Sequence, residues 1–252
     1  MIFNLNKNLK IEFRTSVEGL DKFAPVKRAS HFIPKWFKEM QDYVPTELRE
    51  LNNKSNFEKS HEISKKYLDG TVKRCPAIID LAKEGFVIPL WSDYLIQIDG
   101  TKAEWSARSF PVGLDFHPNE QIYNWSLGEN DFHSPVKFVN PWRIYTPPGY
   151  SCMFVAPHYQ FEKRFTVLPG IVETDKHHAV QFPSIIHVEG DILLERGMPL
   201  VQVIPFKRED YDFSVGQQND EDRYIEESEK NNIASKFKNG YKEWVRGNGQ
   251  WK

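Results

Sequence analysis

A chain of 252 residues, 40% hydrophobic and 27% charged, is long enough to bury a substantial core and has the make-up of a globular protein. Its 33 Lys and Arg nearly cancel its 35 Asp and Glu, so the net charge of -2 argues against a nucleic-acid or anionic-membrane partner. No run approaches the ~20 apolar residues of a membrane span, and the opening MIFNLNKNLKIEF lacks the apolar stretch of a secretory signal, so a cytoplasmic location is expected.

Taken in chain order, the first fifteen residues alternate through Ile11 and Phe13 and predict a strand. In HFIPKWFKEM, Pro34 stands where a first helical turn tolerates proline, with Trp36, Phe37 and Met40 following on one side. Gln41 to Lys73 is polar and without a sustained apolar face, which predicts a solvated helix pair or an insertion with no functional role. Pro76 opens a second helix, PAIIDLAKEG, and Gly85 is its stop. The run FVIPLWSDYLIQIDGTKAEWSA alternates about Asp99-Gly100, a dipeptide suited to a tight hairpin turn, and strands broken by Pro and Gly continue to Lys207. In the last 35 residues Ile233, Phe237, Tyr241 and Trp244 recur at helical spacing, with acids early and bases late. That stripe predicts packing on the body or on a neighbouring subunit, so a protein partner or self-association is expected through the C-terminal helix. The expected organisation is one domain: a strand and helical segment over 1–84, an antiparallel β core over 85–212, and a C-terminal helix and tail over 213–252. The fold class is mainly β with flanking helices.

Cys75 and Cys152 form no CxxC and no metal-like cluster; two reduced thiols are the default, with a single disulfide as the alternative. Of the histidines, His117 and His133 lie among turn residues in LDFHPNEQ and NDFHSPVKF, His158 ends a strand, and His177-His178 follow GIVETD. The sequence has no HExxH and no pair of His at helical spacing. A facial iron triad would need His117, Glu120 and His187 to converge. With His133 these residues define a third reading, a metal-dependent, cupin-like oxygenase. GxxxxGK[ST], GxGxxG and GxSxG are all absent, and the leading reading assigns neither metal nor cofactor.

The informative block runs from Tyr145 to Arg208 and holds TPPGYSCMFVAP, FTVLPGIVETD and GDILLERGMPLVQVIPFKR, each a strand led by a Pro/Gly turn. Pro147-Pro148-Gly149 predicts a sharp corner, Phe154 and Val155 an interior, and His158 the far end of the strand. In order and spacing these pieces resemble the core of the dUTPase and dCTP deaminase superfamily, a β-clip fold, over about a quarter of the chain. The matching pieces are Pro147-Pro148-Gly149, the run from Gly170 to Asp175, and the run from Gly197 to Val203. The resemblance implies that Glu173 stands at the water-activating aspartate and that Gln202 is kept. Lys176, His177 and His178 replace the family's deoxyribose-packing tyrosine and Arg-Gly, and PHYQFEK replaces its phosphate-binding Arg-Ser-Gly. WVRGNGQW is similar to the family's C-terminal tail but lacks the glycines that cradle phosphate. Losing donors worth ~1.5–3 kcal/mol each to a triphosphate implies a shared fold with altered chemistry. The longer run NPWRIYTPPGYSCMFVAP…LPGIVETD…GMPLVQVIPFKR resembles an uncharacterised group of proteins from tailed bacteriophages and some bacteria, which implies a phage origin, in host cytoplasm or virion.

The leading expectation is therefore a non-catalytic β-rich protein that works by binding or assembly, such as a phage structural or accessory component. The alternative is a nucleotide or small-molecule hydrolase or deaminase. There Glu173 or Asp175 is the general base, His158 completes the catalytic set, and Lys163, Arg164, His177 and Gln202 hold the ligand.

Overall fold

The computed structural model describes residues 9–45, 71–99, 102–108, 112–126, 128 and 135–235, with side chains as far as Ser228. They fall into two compact units, one built from the chain up to Pro34 and from Ala82 to Glu209, the other from Lys35 to Leu81 and from Asp210 onward. In chain order the elements are β1 (Glu12–Thr15), α1 (Leu20–Phe23), β2 (Lys27–Arg28), α2 (Lys35–Glu39) and α3 (Pro76–Lys83). β3 (Phe86–Pro89), β4 (Tyr94–Asp99), β5 (Lys102–Ala107), β6 (Leu114–Phe116), β7 (Val136–Phe138) and β8 (Trp142–Tyr145) follow. Then come β9 (Tyr150–Val155), β10 (Phe165–Val167), β11 (Gly170–Val172), β12 (Phe182–Ile186), β13 (Gly190–Leu194), β14 (Pro199–Lys207) and α4 (Asp220–Ser235).

Among the described residues every strand pairing is antiparallel, which bears out a β-rich antiparallel fold. The strands form a five-stranded sheet in the order β11-β9-β14-β3-β2, a four-stranded sheet β10-β12-β7-β6, a three-stranded sheet β13-β4-β5 and the pair β1-β8. The three segments that carry the family resemblance are thus immediate neighbours, β11, β9 and β14, in one sheet. β4 shows why alternation works as a signal: Tyr94, Ile96 and Ile98 are buried while Gln97 and Asp99 are exposed. The last pair of its hairpin with β5 is Asp99 opposite Lys102, so Asp99, expected in the turn itself, is paired in the ladder and ends β4; Gly100 and Thr101 lie outside the described residues.

The core gathers fully buried Trp91, Tyr94, Phe138 and Phe182 with the aliphatic residues of β3, β12 and β14. The Tyr94 hydroxyl donates to the Val112 carbonyl at 2.5 Å, so this ring enters the core with its polar end satisfied. In β9 it is Cys152 and Phe154 that face the core. The expectation for Val155 is corrected, since a residue next to Phe154 on a strand points to the other face and stays half-buried. Cys75 and Cys152 are both free thiols. β14 tolerates Pro205 because β3 pairs only with Pro199 to Val203; beyond that point β14 has β9 on one side alone.

In the second unit α2 begins directly after Pro34, as expected, and the Lys73 ammonium donates to the carbonyls of Lys38 and Met40 at its C-terminal end. α4 starts with a reciprocal cap: Asn219 Oδ1 accepts from the Asp222 N–H, and Asp222 Oδ2 accepts from the Asn219 N–H. The predicted helical insertion falls largely on residues 46–70, and the stripe through Phe237, Tyr241 and Trp244 on residues past 235; both lie outside the described residues, as does the side chain of Ile233. Among the described residues no helix is long and apolar enough to cross a membrane.

Gly85 ends its helix with φ +68°, and a β-carbon built there would lie 2.1 Å from the Val203 carbonyl oxygen. Gly85→Ala should therefore lower stability by about 2–4 kcal/mol, combining left-handed strain with a backbone clash. Urea unfolding would read this as a lower midpoint at unchanged slope.

Candidate functional site

The block from Tyr145 to Arg208 builds two distinct places, one at each end of β9. At its start, Pro147-Pro148-Gly149 forms a turn in which the Tyr150 N–H reaches the Pro147 carbonyl at 3.1 Å and Gly149 takes φ +82°. Proline in the second position and a left-handed glycine in the third is the type II arrangement. This corner is stitched to the turn after β11. The Gly149 N–H donates to Asp175 Oδ2 at 2.8 Å, and Thr146 Oγ1 lies 2.9 Å from the Oγ1 of buried Thr174.

Arg208, at the end of β14, completes the junction. Its guanidinium donates to Asp175 Oδ1 at 2.9 Å and Oδ2 at 2.5 Å, to the Tyr150 carbonyl at 2.8 Å and to Ser151 Oγ at 3.0 Å. Its own N–H donates to the Gly149 carbonyl at 2.9 Å. The Asp175 side chain is only 7% exposed, and the Arg208 hydrogen bonds, reinforced by Gly149, hold its carboxyl well below the usual carboxylate range. Both oxygens are thus accepting, and the group has little basicity to offer an attacking water.

Glu173 stands on the exposed side of the same turn, paired with Lys176 at 2.5 Å; that hydrogen bond also lowers its pKa. His177 is exposed and donates through Nε2 to the Ala179 carbonyl at 3.0 Å. Its neighbour His178 donates through Nδ1 to the carbonyls of Thr174 and Ile144 and packs on the Tyr145 ring at 4.1 Å. The turn therefore uses its polar groups to define its own shape.

The far end of β9 leads into PHYQFEKR. Here the His158 N–H donates to Gln202 Oε1 at 3.0 Å, and Gln202 Nε2 donates to the Glu84 carbonyl at 2.8 Å. Gln202 is 1% exposed, so its amide pins the loop to the sheet from within the core. Tyr159 and Phe161 adopt left-handed backbone conformations, φ +63° and +53°, each costing about 1–2 kcal/mol for a residue with a β-carbon. Anchors flank both. Between them the Gln160 side-chain amide donates to the Phe32 carbonyl, and after them the Glu162 carboxylate accepts from the N–H groups of Lys163 and Arg164. Strain persists where its surroundings over-determine it, and this loop is held at each end and in the middle.

The loop, together with Phe165, Val167, Pro199 and Leu200, lines a cavity of about 230 Å3 that opens to the surface. Two expected ligand-holding residues, Lys163 and Arg164, follow the loop and are not among the residues that line this cavity. Arg164 is committed: its guanidinium meets Glu162 in a bidentate pair at 2.8 and 2.6 Å and donates to the Leu193 carbonyl at 2.6 Å. Lys163 is exposed. His158 is half-buried, and burial lowers its pKa, so its imidazole is neutral near pH 7.

The structure thus joins His158 with Gln202, and Glu173 with Asp175 and His177, but sets the two groups apart. Asp175 accepts from the Gly149 N–H just before β9 and Gln202 accepts from the His158 N–H just after it, so the length of β9, roughly 17 Å at ~3.3 Å per residue, lies between them. Of the residues considered for metal, His117 Nδ1 is 2.5 Å from Gln121 Oε1 and His187 Nε2 is 2.7 Å from Thr166 Oγ1. Among the described residues no three His, Cys, Asp or Glu lie together as a metal site, and His133 lies outside them. Sequence reasoning missed Arg208 and Glu162. Glu162 stands two residues before Arg164, a visible pairing signal, whereas Arg208 lies 33 residues from Asp175 and carried none.

Asp175→Asn should lower the melting temperature at pH 7 by removing the Arg208 partner. A depressed carboxyl pKa contributes stability that is complete above about pH 4–5 and is lost as pH falls below the ordinary ~3.9. The wild-type advantage over the Asn variant should therefore shrink on acidification through that window, as followed by thermal melts. For His158, NMR titration of the ring protons should give a midpoint below the ordinary ~6.5, with stability falling as pH drops from there through the folded value.

No protein-family profile and no curated protein sequence matches the chain. Among solved structures it is similar to a native dUTPase of EIAV, at 12% identity and a TM-score of 0.30, over 54% of this chain and 84% of that one.

Proposed function

We propose that the protein is non-catalytic and works by binding or assembly, in the role of a phage structural or accessory component. The observation that carries this reading is the separation of the carboxylates from His158 by the length of β9. A hydrolase or deaminase needs its base and its substrate-holding groups within hydrogen-bond reach of one reacting centre, ~2.6–3.2 Å from the proton that moves. Here Asp175 accepts from Arg208 and Gly149, and Arg164 is paired with Glu162. Freeing either group for chemistry would dismantle a turn.

Incubation of the full chain with a panel of nucleoside mono- and triphosphates should give no phosphate release, no deamination and no rise in melting temperature. A bound nucleotide at a hundredfold excess over its dissociation constant would add ~2.7 kcal/mol and be evident in the melt. Turnover that disappears in Glu173→Gln would overturn the proposal. Light scattering should in turn report self-association or a complex with a captured partner; a strict monomer with none would count against the assembly role.

A further inference from the structure

The cavity at the end of β9 has a composition that the anion-binding expectation for this segment does not fit. Its walls are largely apolar, from Pro157, Phe165, Val167, Pro199 and Leu200. Its volume of about 230 Å3 exceeds the ~150 Å3 that accommodates a benzene ring, leaving space for one small polar substituent. Among the described residues no hydrogen bond reaches either ring nitrogen of His158, although the residue is half-buried and its main chain is fixed by Gln202. A neutral imidazole in that position presents one N–H donor and one acceptor nitrogen.

Charge decides the ligand class. Glu162 lines the cavity and its carboxylate is paired with Arg164, so the pair brings no net positive charge to an incoming anion. The adjacent cation gives no compensation, because Arg164 already spends its guanidinium on Glu162 and on the Leu193 carbonyl. The left-handed residues Tyr159 and Phe161 form part of the wall, fixed by the anchors at His158, Gln160 and Glu162, so the opening is built before any ligand arrives.

We propose that this cavity binds a small uncharged planar molecule, an apolar ring bearing one hydrogen-bond donor and one acceptor, with His158 as the recognising group. The inference rests on the non-catalytic reading above, since a ligand held here lies a strand's length from Glu173 and Asp175.

Benzamide and benzoate are nearly the same shape and differ in charge, which makes them the probes of choice. Each is titrated into the full chain to ~10 mM, where even a millimolar ligand saturates, while backbone amide resonances are followed by NMR. Benzamide should give saturable shifts centred on residues 156–167 and 199–200, with benzoate at least about tenfold weaker. His158→Ala should weaken benzamide at least about fivefold without moving the melting temperature by a comparable step. If that variant does not fold, the wild-type benzamide and benzoate pair still decides the matter. Equal or tighter benzoate binding, shifts centred elsewhere, or no saturable shift would each overturn the assignment. None of these outcomes touches the non-catalytic reading, which falls only if nucleotide turnover is found.

Discussion

Arg208 and Asp175 hold together three pieces of chain that have no covalent reason to meet: the Pro-Pro-Gly corner before β9, the turn after β11 and the end of β14. A bidentate guanidinium–carboxylate pair suits this task because its planar fork fixes direction as well as distance. The side chain of Asp175 is almost fully covered, so removing either partner leaves a charged group without compensation. This end of the five-stranded sheet is therefore tied by an ion pair in addition to its ladders. Asp175, which the hydrolase reading would use as a general base, is committed to architecture.

At the other end of β9 the pattern is different. The main chain is held by Gln202, the loop is held by Gln160 and Glu162, and the cation that could have served an incoming anion is already neutralised. What is left, with no hydrogen bond to its ring nitrogens among the described residues, is a neutral imidazole beside apolar walls. One end of the strand is electrostatically closed, and the other is open to molecules that carry no charge.

Much of the scaffold was legible because it is written in local terms. The alternation in β4, the stop at Gly85 and the corner at Pro147-Pro148-Gly149 each depend on a few adjacent residues with a distinct backbone preference. The adjacency of β11, β9 and β14 is what the resemblance implied. The sites were harder to read, since a titratable residue advertises its chemistry but not its partner. Asp175 looks like a base until Arg208 is placed beside it, and Arg164 looks like an anion clamp until Glu162 closes on it. The separation of His158 from Glu173 was implicit in the antiparallel pairing of β9 with β11, which sets the turn after β11 beside the start of β9 while His158 follows its end. Val155 was misjudged for the simpler reason that a strand alternates its faces.

The five-stranded sheet finishes on β11, three residues long, and on β2, only two, whose exposed Lys27 and Arg28 carry like charge. Borders this brief offer an incoming chain almost no ladder to copy, and positive charge further discourages stacking edge to edge. The six-residue β5 and five-residue β13 border the three-stranded sheet instead, and among the described residues they are the longest edge strands from which a ribbon could grow.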